Sequence, residues 1–273
     1  DIGAVAEAAR RICGPKTLVV VDNTFLGPVF QSPFEHGADI VLYSATKYIG
    51  GHSDLIAGIS LARDRALLAP VYDYRSMFGA TTAPDTAWLL TRSIETLWMR
   101  MERQAEKALK VAKALDRMPQ VERVLYPGLL TKADGDAYRI RQKQCEGNGA
   151  MITFYLKDGR RETAFRVLDS VRVCHLAVSL GGTESLIEHP RTMTHSDMTE
   201  EDLNLCGISD GMIRLSVGLE SSRDLIRDLA EAIDPVFVPV TRWPPGGEDT
   251  EATPSGETAG EAITVLIGHL LPY

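Results

Sequence analysis

The sequence has no uninterrupted apolar run of the roughly 18 residues that a membrane-spanning helix requires, and no stretch typical of a signal peptide. Positive charge is not in excess either, because the formal net charge is −8. A nucleic-acid-binding role therefore has no electrostatic support. We predict neither a membrane nor a nucleic acid as a partner.

Cysteine is scarce, and the four cysteines are Cys13, Cys145, Cys174 and Cys206. They lie far apart and form no C-x-x-C pair, so their spacing supports neither a disulfide framework nor a zinc site. We interpret them as free, buried thiols of a cytoplasmic protein.

The sequence also lacks a recognisable metal-binding pattern. His189 and His195 do not have the H-E-x-x-H spacing of zinc proteases. Asp134 and Asp136 flank a glycine, as at the start of a calcium loop, but the later ligands of such a loop are missing. We predict no metal site.

Two continuous apolar runs, at 17–21 and 39–43, alternate with the helical patterns at 1–12 and 33–37. Such runs are typical of strands that are buried on both faces of a parallel sheet. The alternation predicts an α/β fold with helices on the faces of that sheet. Ligands of open sheets of this kind bind beyond the carboxyl ends of the strands.

A long helix is predicted over 83–118, with an apolar stripe and with polar residues such as Arg100 at the other positions. The pattern beyond it predicts a smaller α+β domain. Its predicted strands lie near 121–126, 150–156, 171–180 and 213–217, and its predicted helices near 162–168 and 224–233.

Lys47 lies in the segment that directly follows the second apolar run. Ser44 and Thr46, which carry hydroxyls, precede it, and a glycine pair follows it. Desolvation at such a position lowers the pKa of a lysine and makes its amine nucleophilic towards an aldehyde. A surface lysine at the end of a strand is the alternative. The two neighbouring hydroxyls are candidates for binding a phosphate, or for local capping of the strand end.

Asp22 follows the first apolar run, where a buried carboxylate is costly without a partner. Pyridoxal phosphate (PLP) requires an acid beside its ring nitrogen, so Asp22 and Lys47 at neighbouring strand ends fit one PLP site. An ordinary turn or helix cap at Asp22 is the alternative.

Arg214 lies inside the predicted strand 213–217 and requires an anion. The carboxylate of an amino-acid substrate is one candidate, since arginine grips a carboxylate with two parallel hydrogen bonds. A structural ion pair with a protein acid is the other. Ser179 is a candidate for binding the same substrate carboxylate.

The order of several long motifs resembles the Cys/Met metabolism PLP-dependent enzymes from the start of the chain to about residue 233. This family includes cystathionine γ-lyase, cystathionine γ-synthase, methionine γ-lyase and O-acetylhomoserine sulfhydrylase. The motifs are VDNTF (21–25), GAD (37–39), YSATKYIGGHSD (43–54), YPGL (126–129), SLGG (179–182), HP (189–190), MTH (193–195) and IRLSVGLE (213–220).

The resemblance implies a role for each candidate residue. Lys47 would carry PLP and move protons between substrate carbons, and Asp22 would pair with the ring nitrogen. Ser44 and Thr46 would bind the phosphate of PLP. The remaining two candidates, Ser179 and Arg214, would hold the substrate carboxylate.

The resemblance also implies the fold-type-I, aspartate aminotransferase-like fold and a homotetramer of close dimers. Residues 1–98 would be the C-terminal part of the PLP-binding large domain, and 99–236 the small domain. Family members carry a further N-terminal segment, so we expect an N-terminally truncated chain. The segment 237–273 is rich in Pro, Gly, Thr and Glu, and is predicted to be a disordered or atypical tail.

Three functions remain open at this point. The first is γ-elimination from methionine or cystathionine, which gives 2-oxobutanoate, ammonia and a thiol. The second is γ-replacement, in which a thiol reacts with an activated homoserine ester. The third is an inactive fragment, which the expected truncation favours.

Overall fold

The computed structural model describes residues 1–234, and its first three strands form a small mixed sheet. The strands are β1 (Val20–Asp22), β2 (Ile40–Ser44) and β3 (Gly58–Ala62), in that order. β1 is parallel to β2, whereas β3 is antiparallel to β2, which departs from the predicted parallel sheet. A parallel return requires a crossover, usually through a helix, and residues 45–57 contain no helix.

The first strand is shorter and more exposed than the sequence predicts. Only two residues of the apolar run, Val20 and Val21, belong to β1, and Val20 is 51% exposed. The expectation of a strand buried on both faces is therefore wrong for these residues. Successive side chains point to opposite faces of the sheet, and residues 1–234 leave the face that carries Val20 largely uncovered, whereas Val19 is buried.

The second sheet has five strands in the order β4-β5-β8-β7-β6. β8 is antiparallel to both of its neighbours, β5 and β7, and β6 is parallel to β7. The strands are β4 (Val121–Leu125), β5 (Met151–Leu156), β6 (His175–Leu176), β7 (Leu186–Glu188) and β8 (Met212–Ser216). This sheet confirms the predicted strands near 121–126, 150–156 and 213–217.

The α-helices of the described chain are α1 (Ile2–Cys13), α2 (Gly27–Phe30), α3 (Ala69–Phe78), α4 (Pro84–Ile94), α5 (Leu97–Leu115), α6 (Asp136–Gln144), α7 (Arg161–Ser170), α8 (Glu200–Leu205) and α9 (Ser222–Ile233). Local chemistry explains the bounds of α1. The Asp1 carboxylate accepts a hydrogen bond from the Ala4 N–H at the N-terminus, and Gly14 ends the helix. Four short 3-10 helices occupy Pro33–His36, Arg65–Leu68, Pro127–Leu129 and Lys132–Asp134.

The predicted helix over 83–118 is two helices, α4 and α5, separated at Glu95 and Thr96. A continuous helix would offer the Ser93 carbonyl to the Leu97 N–H. Here that carbonyl accepts instead from the Arg100 guanidinium, at 3.0 Å, and from the Thr96 N–H. Because the Ser93 carbonyl accepts from these donors, the regular hydrogen-bond pattern of the helix is interrupted at this point.

The segment predicted as a strand over 171–180 contains only the short β6. The backbone N–H groups of Arg172, Val173 and Cys174 donate to the buried carboxylate of Asp228 on α9. These donors are therefore not available to a neighbouring strand.

One hydrophobic core joins the two sheets, and α5 passes through it. Met101, Ala108 and Leu115 on α5 are completely or almost completely buried, and α5 packs against α9. No helix within 1–234 is long and apolar enough to cross a bilayer. The tail predicted over 237–273 lies outside the described residues.

Candidate active site

A cavity of about 450 Å³ lies at the ends of β1 and β2. Its lining residues are Asp22, Asn23, Thr24, Phe25, Leu26, Gln31, Ser44, Lys47 and Leu180. Asp22 is the last residue of β1, Ser44 is the last residue of β2, and Lys47 lies in the turn that follows. The structure thus brings three of the predicted site residues to one cavity, at the strand ends where open sheets bind ligands.

The carboxylate of Asp22 is held by Thr24. Oδ1 of Asp22 accepts from the Thr24 backbone N–H at 3.0 Å and from its hydroxyl at 2.6 Å. The same hydroxyl oxygen accepts from the Ser44 N–H at 2.8 Å, so Thr24 ties the ends of β1 and β2 together. Within residues 1–234, Oδ2 of Asp22 has no recorded hydrogen bond.

The amine of Lys47 donates to the Ser179 hydroxyl at 2.8 Å. Partial burial lowers the pKa of Lys47, the Arg214 charge lowers it further, and the Glu188 carboxylate acts in the opposite direction. A lysine whose charged form is disfavoured supplies the neutral amine more readily. Lys47 is thus partly desolvated, and its role as a nucleophile stays a prediction.

Ser179 joins Lys47 to Arg214. Its hydroxyl accepts from Lys47, and its carbonyl accepts from Nη2 of Arg214 at 3.3 Å. The backbone of Ser179 has a φ of 99°, a region that a serine occupies only with strain. Gly181 allows the close approach of this segment, because a Cβ there would lie 2.7 Å from the Tyr48 backbone nitrogen.

Arg214 on β8 faces Glu188 on β7 directly across the sheet. Nη2 of Arg214 lies 2.8 Å from Oε1 of Glu188, whose side chain is only 2% exposed. The same oxygen accepts from the Thr194 hydroxyl at 2.9 Å. The ion pair that the sequence left open is thus present, and its acid, Glu188, was not predicted. No signal in the apolar run around Glu188 shows which residue faces it.

The two hydroxyls beside Lys47 have different surroundings. Ser44 lines the cavity, whereas the Thr46 hydroxyl accepts from the Ala57 N–H at 3.0 Å and donates to its carbonyl at 3.3 Å. Thr46 is not among the lining residues of the cavity. The structure therefore brings Ser44, but not the Thr46 side chain, to the wall shared by Asp22 and Lys47.

Two side chains of α5 hydrogen-bond to the backbone of the segments that carry Lys47 and Ser179. Arg100 donates to the carbonyls of Tyr48 and Ile49, which follow Lys47, and Gln104 donates to those of Gly182 and Val217. Both side chains are buried, so the prediction of Arg100 on the polar face of its helix is wrong. The spacing of four residues along the helix, on the side that carries Leu97 and Met101, is the sequence signal that marks this pair.

The buried His189 has a structural environment. Its ring nitrogens contact the Thr192 hydroxyl and the Asp210 carbonyl, each at 2.9 Å, and burial lowers its pKa. In the part of the chain that the structure describes, no three His, Cys, Asp or Glu side chains converge on a position that could hold a metal ion.

Comparison with known proteins decides the family. The family described as Cys/Met metabolism PLP-dependent enzyme matches residues 1–234. The chain belongs to this family. The resemblance seen in the sequence motifs is thereby confirmed, and so is PLP as the cofactor on which the family depends.

Several individual Cys/Met metabolism enzymes are similar to this chain. An L-methionine γ-lyase of Fusobacterium nucleatum subsp. polymorphum is 44% identical over 237 residues, which are 86% of this chain and 58% of that enzyme. A cystathionine β-lyase of Coxiella burnetii is 42% identical over 234 residues, 85% of this chain and 59% of that enzyme. The chain thus spans less than two thirds of the length of these relatives.

Solved structures of two related enzymes are similar to this chain in both fold and sequence. Cystathionine γ-synthase from Xanthomonas oryzae pv. oryzae has a TM-score of 0.79 and 42% sequence identity, covering 85% of this chain and 58% of that one. A cystathionine γ-lyase from Micromonospora echinospora has a TM-score of 0.78 and 37% identity, covering 85% and 59%. This similarity confirms the predicted α/β fold class of the fold-type-I PLP enzymes, over part of their length.

The cavity has side-chain groups of the kinds that PLP requires. It presents an amine with a lowered pKa, a carboxylate with one oxygen uncommitted among residues 1–234, and a hydroxyl. These groups match the aldehyde, the ring nitrogen and the phosphate of PLP, respectively. The residues present therefore fit the cofactor of the family.

Proposed function

We propose that this chain forms the PLP- and substrate-binding part of an enzyme that eliminates at the γ-carbon of methionine or cystathionine. The products would be 2-oxobutanoate, ammonia and a thiol. The observation that carries this proposal is the position of Lys47, which lines the cavity with Asp22 and hydrogen-bonds to Ser179 beside Arg214. The similarity to enzymes named L-methionine γ-lyase and cystathionine γ-lyase supports the reaction class.

Four residues would hold the cofactor. Lys47 would carry it covalently, Asp22 would pair with its ring nitrogen, and Ser44 and Thr46 would bind its phosphate. The role of Thr46 requires its hydroxyl, or its backbone, to serve the phosphate in addition to Ala57. When bound, PLP supplies the electron sink that stabilises a negative charge on the substrate.

The remaining residues would orient the substrate. Arg214 and Ser179 would hold the substrate carboxylate, which places the α-carbon of the amino acid near Nζ of Lys47. The lowered pKa of Lys47 favours the neutral amine that accepts a proton from this carbon. After that proton is passed on, the same amine would remove a proton from the β-carbon, and the electron pair of this C–H bond would form the Cβ–Cγ double bond as the γ-substituent leaves.

The first test is an absorbance spectrum of the purified chain with added PLP, compared with Lys47→Ala. We expect a visible band for lysine-bound PLP in the parent and none in the variant. Lys157→Ala, which removes an exposed lysine outside the site, is the matched control and should keep the band. A band of equal strength in Lys47→Ala would contradict the assignment of the lysine.

γ-Replacement is the second candidate, because a cystathionine γ-synthase is among the similar structures. The two reactions differ in their product. Incubation with L-methionine releases 2-oxobutanoate only in the elimination, whereas replacement requires an activated homoserine ester and a thiol. A chain that binds PLP but turns over neither substrate would favour the third candidate, an inactive fragment.

The domain division and the assembly are also part of this proposal. All three strands of the first sheet lie before residue 98 and all five strands of the second lie after it, which supports the division into 1–98 and 99–236. We propose a homotetramer of close dimers in the cytoplasm. The free cysteines Cys13 and Cys206 are exposed, so the expectation of buried thiols is wrong for these two. Exposed free thiols suit a reducing compartment.

A further inference from the structure

Glu188 is a buried acid that the roles proposed so far do not use. Its Oε1 contacts Nη2 of Arg214 at 2.8 Å and the Thr194 hydroxyl at 2.9 Å. Its Oε2 is buried and has no hydrogen-bond partner in the described chain. A buried carboxylate with an unsatisfied oxygen is costly, so its retention requires a reason beyond packing.

The contacts of Arg214 indicate that reason. Its two polar contacts within residues 1–234, the ion pair with Glu188 and the hydrogen bond to the Ser179 carbonyl, both use Nη2. The other N–H groups of the guanidinium are left for an anion. Because Glu188 faces Arg214 directly across two paired strands, the direction of the guanidinium is set by the sheet and not by a flexible loop.

The charges around Lys47 also indicate that Glu188 keeps Arg214 in place. Lys47 and Arg214 are two neighbouring cations, and the Arg214 charge, in addition to partial burial, lowers the pKa of Lys47. Glu188 is the acid that opposes this repulsion at Lys47. Without Glu188, the repulsion would drive the long Arg214 side chain away from Lys47.

We propose that Glu188 is the positioning residue of the carboxylate subsite. It holds Arg214 beside Ser179 in the one orientation that receives the carboxylate of an amino acid, without touching the substrate itself. This inference rests on the proposed carboxylate-binding role of Arg214 and extends it to the residue that fixes Arg214 in place.

The first experiment uses two ligands that differ in one group. The full chain loaded with PLP is titrated with L-methionine and with 3-(methylthio)propylamine, which lacks the carboxylate, and the initial change in absorbance is followed. We expect Glu188→Ala to weaken L-methionine binding by about tenfold and the amine by less than about twofold. Glu188→Gln, which retains an acceptor oxygen, should restore most of the loss. An equal effect on both ligands, or no effect, overturns the proposal.

Arg214→Met separates this inference from the proposed function. If that variant does not lose the preference for L-methionine over the amine, the carboxylate-binding role of Arg214 is wrong. If Arg214→Met loses the preference and Glu188→Ala keeps it, Arg214 binds the carboxylate and only the positioning role of Glu188 is wrong.

A second experiment does not depend on bound PLP. The pH dependence of Lys47 acetylation by acetic anhydride is measured by mass spectrometry on the chain without cofactor. In Glu188→Gln the anion is gone but Arg214 stays, so the midpoint for Lys47 should fall below that of the parent. In Glu188→Ala Arg214 is released, so the midpoint should lie above that of Glu188→Gln.

Identical midpoints in the two Glu188 variants overturn the proposal. If Glu188→Ala does not fold, an unchanged midpoint in Glu188→Gln relative to the parent has the same meaning. Glu200→Gln is the matched control, because it removes an exposed acid that pairs with Arg191. This control should leave the Lys47 midpoint unchanged.

Discussion

Asp228 shows how one residue shapes the path of the chain towards the site. Its two carboxylate oxygens accept three backbone N–H groups, those of Arg172, Val173 and Cys174. This loop precedes β6 and the segment that carries Ser179. A side chain on the last described helix therefore fixes the start of the segment that reaches Lys47.

We expect Asp228→Ala to lower the free energy of unfolding by about 3 kcal/mol, because it leaves several partly buried N–H groups without acceptors. Urea denaturation followed by circular dichroism measures the change. Asp224→Ala is the control on the same helix, since the Asp224 side chain is 43% exposed and pairs with the neighbouring Arg227. The control should change the stability by less than about 0.5 kcal/mol. Equal losses in the two variants would contradict the role of the buried carboxylate.

At the scale of elements, α5 supports the turn that carries Lys47. The Arg100 guanidinium fills the space beside Gly51, so a Cβ at Gly51 would overlap it. Gly79, at the end of α3, has a similar φ of 72° but no atom within 4 Å of the position of a Cβ. The two glycines share the backbone requirement and differ in the neighbouring side chain.

This pair isolates the contact with α5. Gly79→Ala should lower stability by about 1 kcal/mol, the cost of a left-handed backbone for alanine. Gly51→Ala should cost about 2 kcal/mol more, because the Arg100 guanidinium must leave its carbonyl acceptors. Thermal unfolding measures both. In an Arg100→Met background, the two alanine substitutions should cost nearly the same; an undiminished difference would show that Arg100 is not its source.

Elements with local signals were predictable from the sequence, and those set by distant contacts were not. The bounds of α1 follow from Asp1 and Gly14, and β5 and β8 follow from their apolar runs. The break between α4 and α5 depends on Arg100, whose burial follows from the position of the turn after Lys47.

The residues of the site also divide into those that a local signal predicts and those that depend on distant contacts. The cavity brings together Asp22, Ser44 and Lys47, each of which follows an apolar run and is recognisable for that reason. Glu188 was not predicted, because its position opposite Arg214 is a matter of strand register between β7 and β8. Register joins residues that are distant in the chain, and a single sequence does not specify it.

At the scale of the whole molecule, α3 is a helix without a buried residue. Its exposed side chains include Tyr72, Tyr74, Met77 and Phe78, each at least 60% exposed. Trp88 and Trp98 on the next two helices are exposed as well. Tyr74 and Phe78 stack on each other, and exposed apolar groups of this kind are characteristic of an interface or of a tendency to associate.

We expect the chain to associate with increasing concentration, which sedimentation velocity would show. A Met77→Glu/Phe78→Glu variant should associate less, because charge on α3 opposes burial of this surface. Leu205→Glu is the control, since Leu205 is 85% exposed on α8, away from these aromatic residues in the sequence. Association that is unaffected in the α3 variant, or reduced equally in the control, would show that α3 is not the surface involved.

At position 179, the backbone conformation favours glycine, whereas the contact with Lys47 requires the hydroxyl of Ser179. Glycine would adopt its φ of 99° without strain and would make the fold more stable, but glycine has no hydroxyl to accept the Lys47 proton donor. A search for stabilising substitutions would therefore favour the change that removes this contact. Stability alone is a misleading guide for redesigning this chain at that residue.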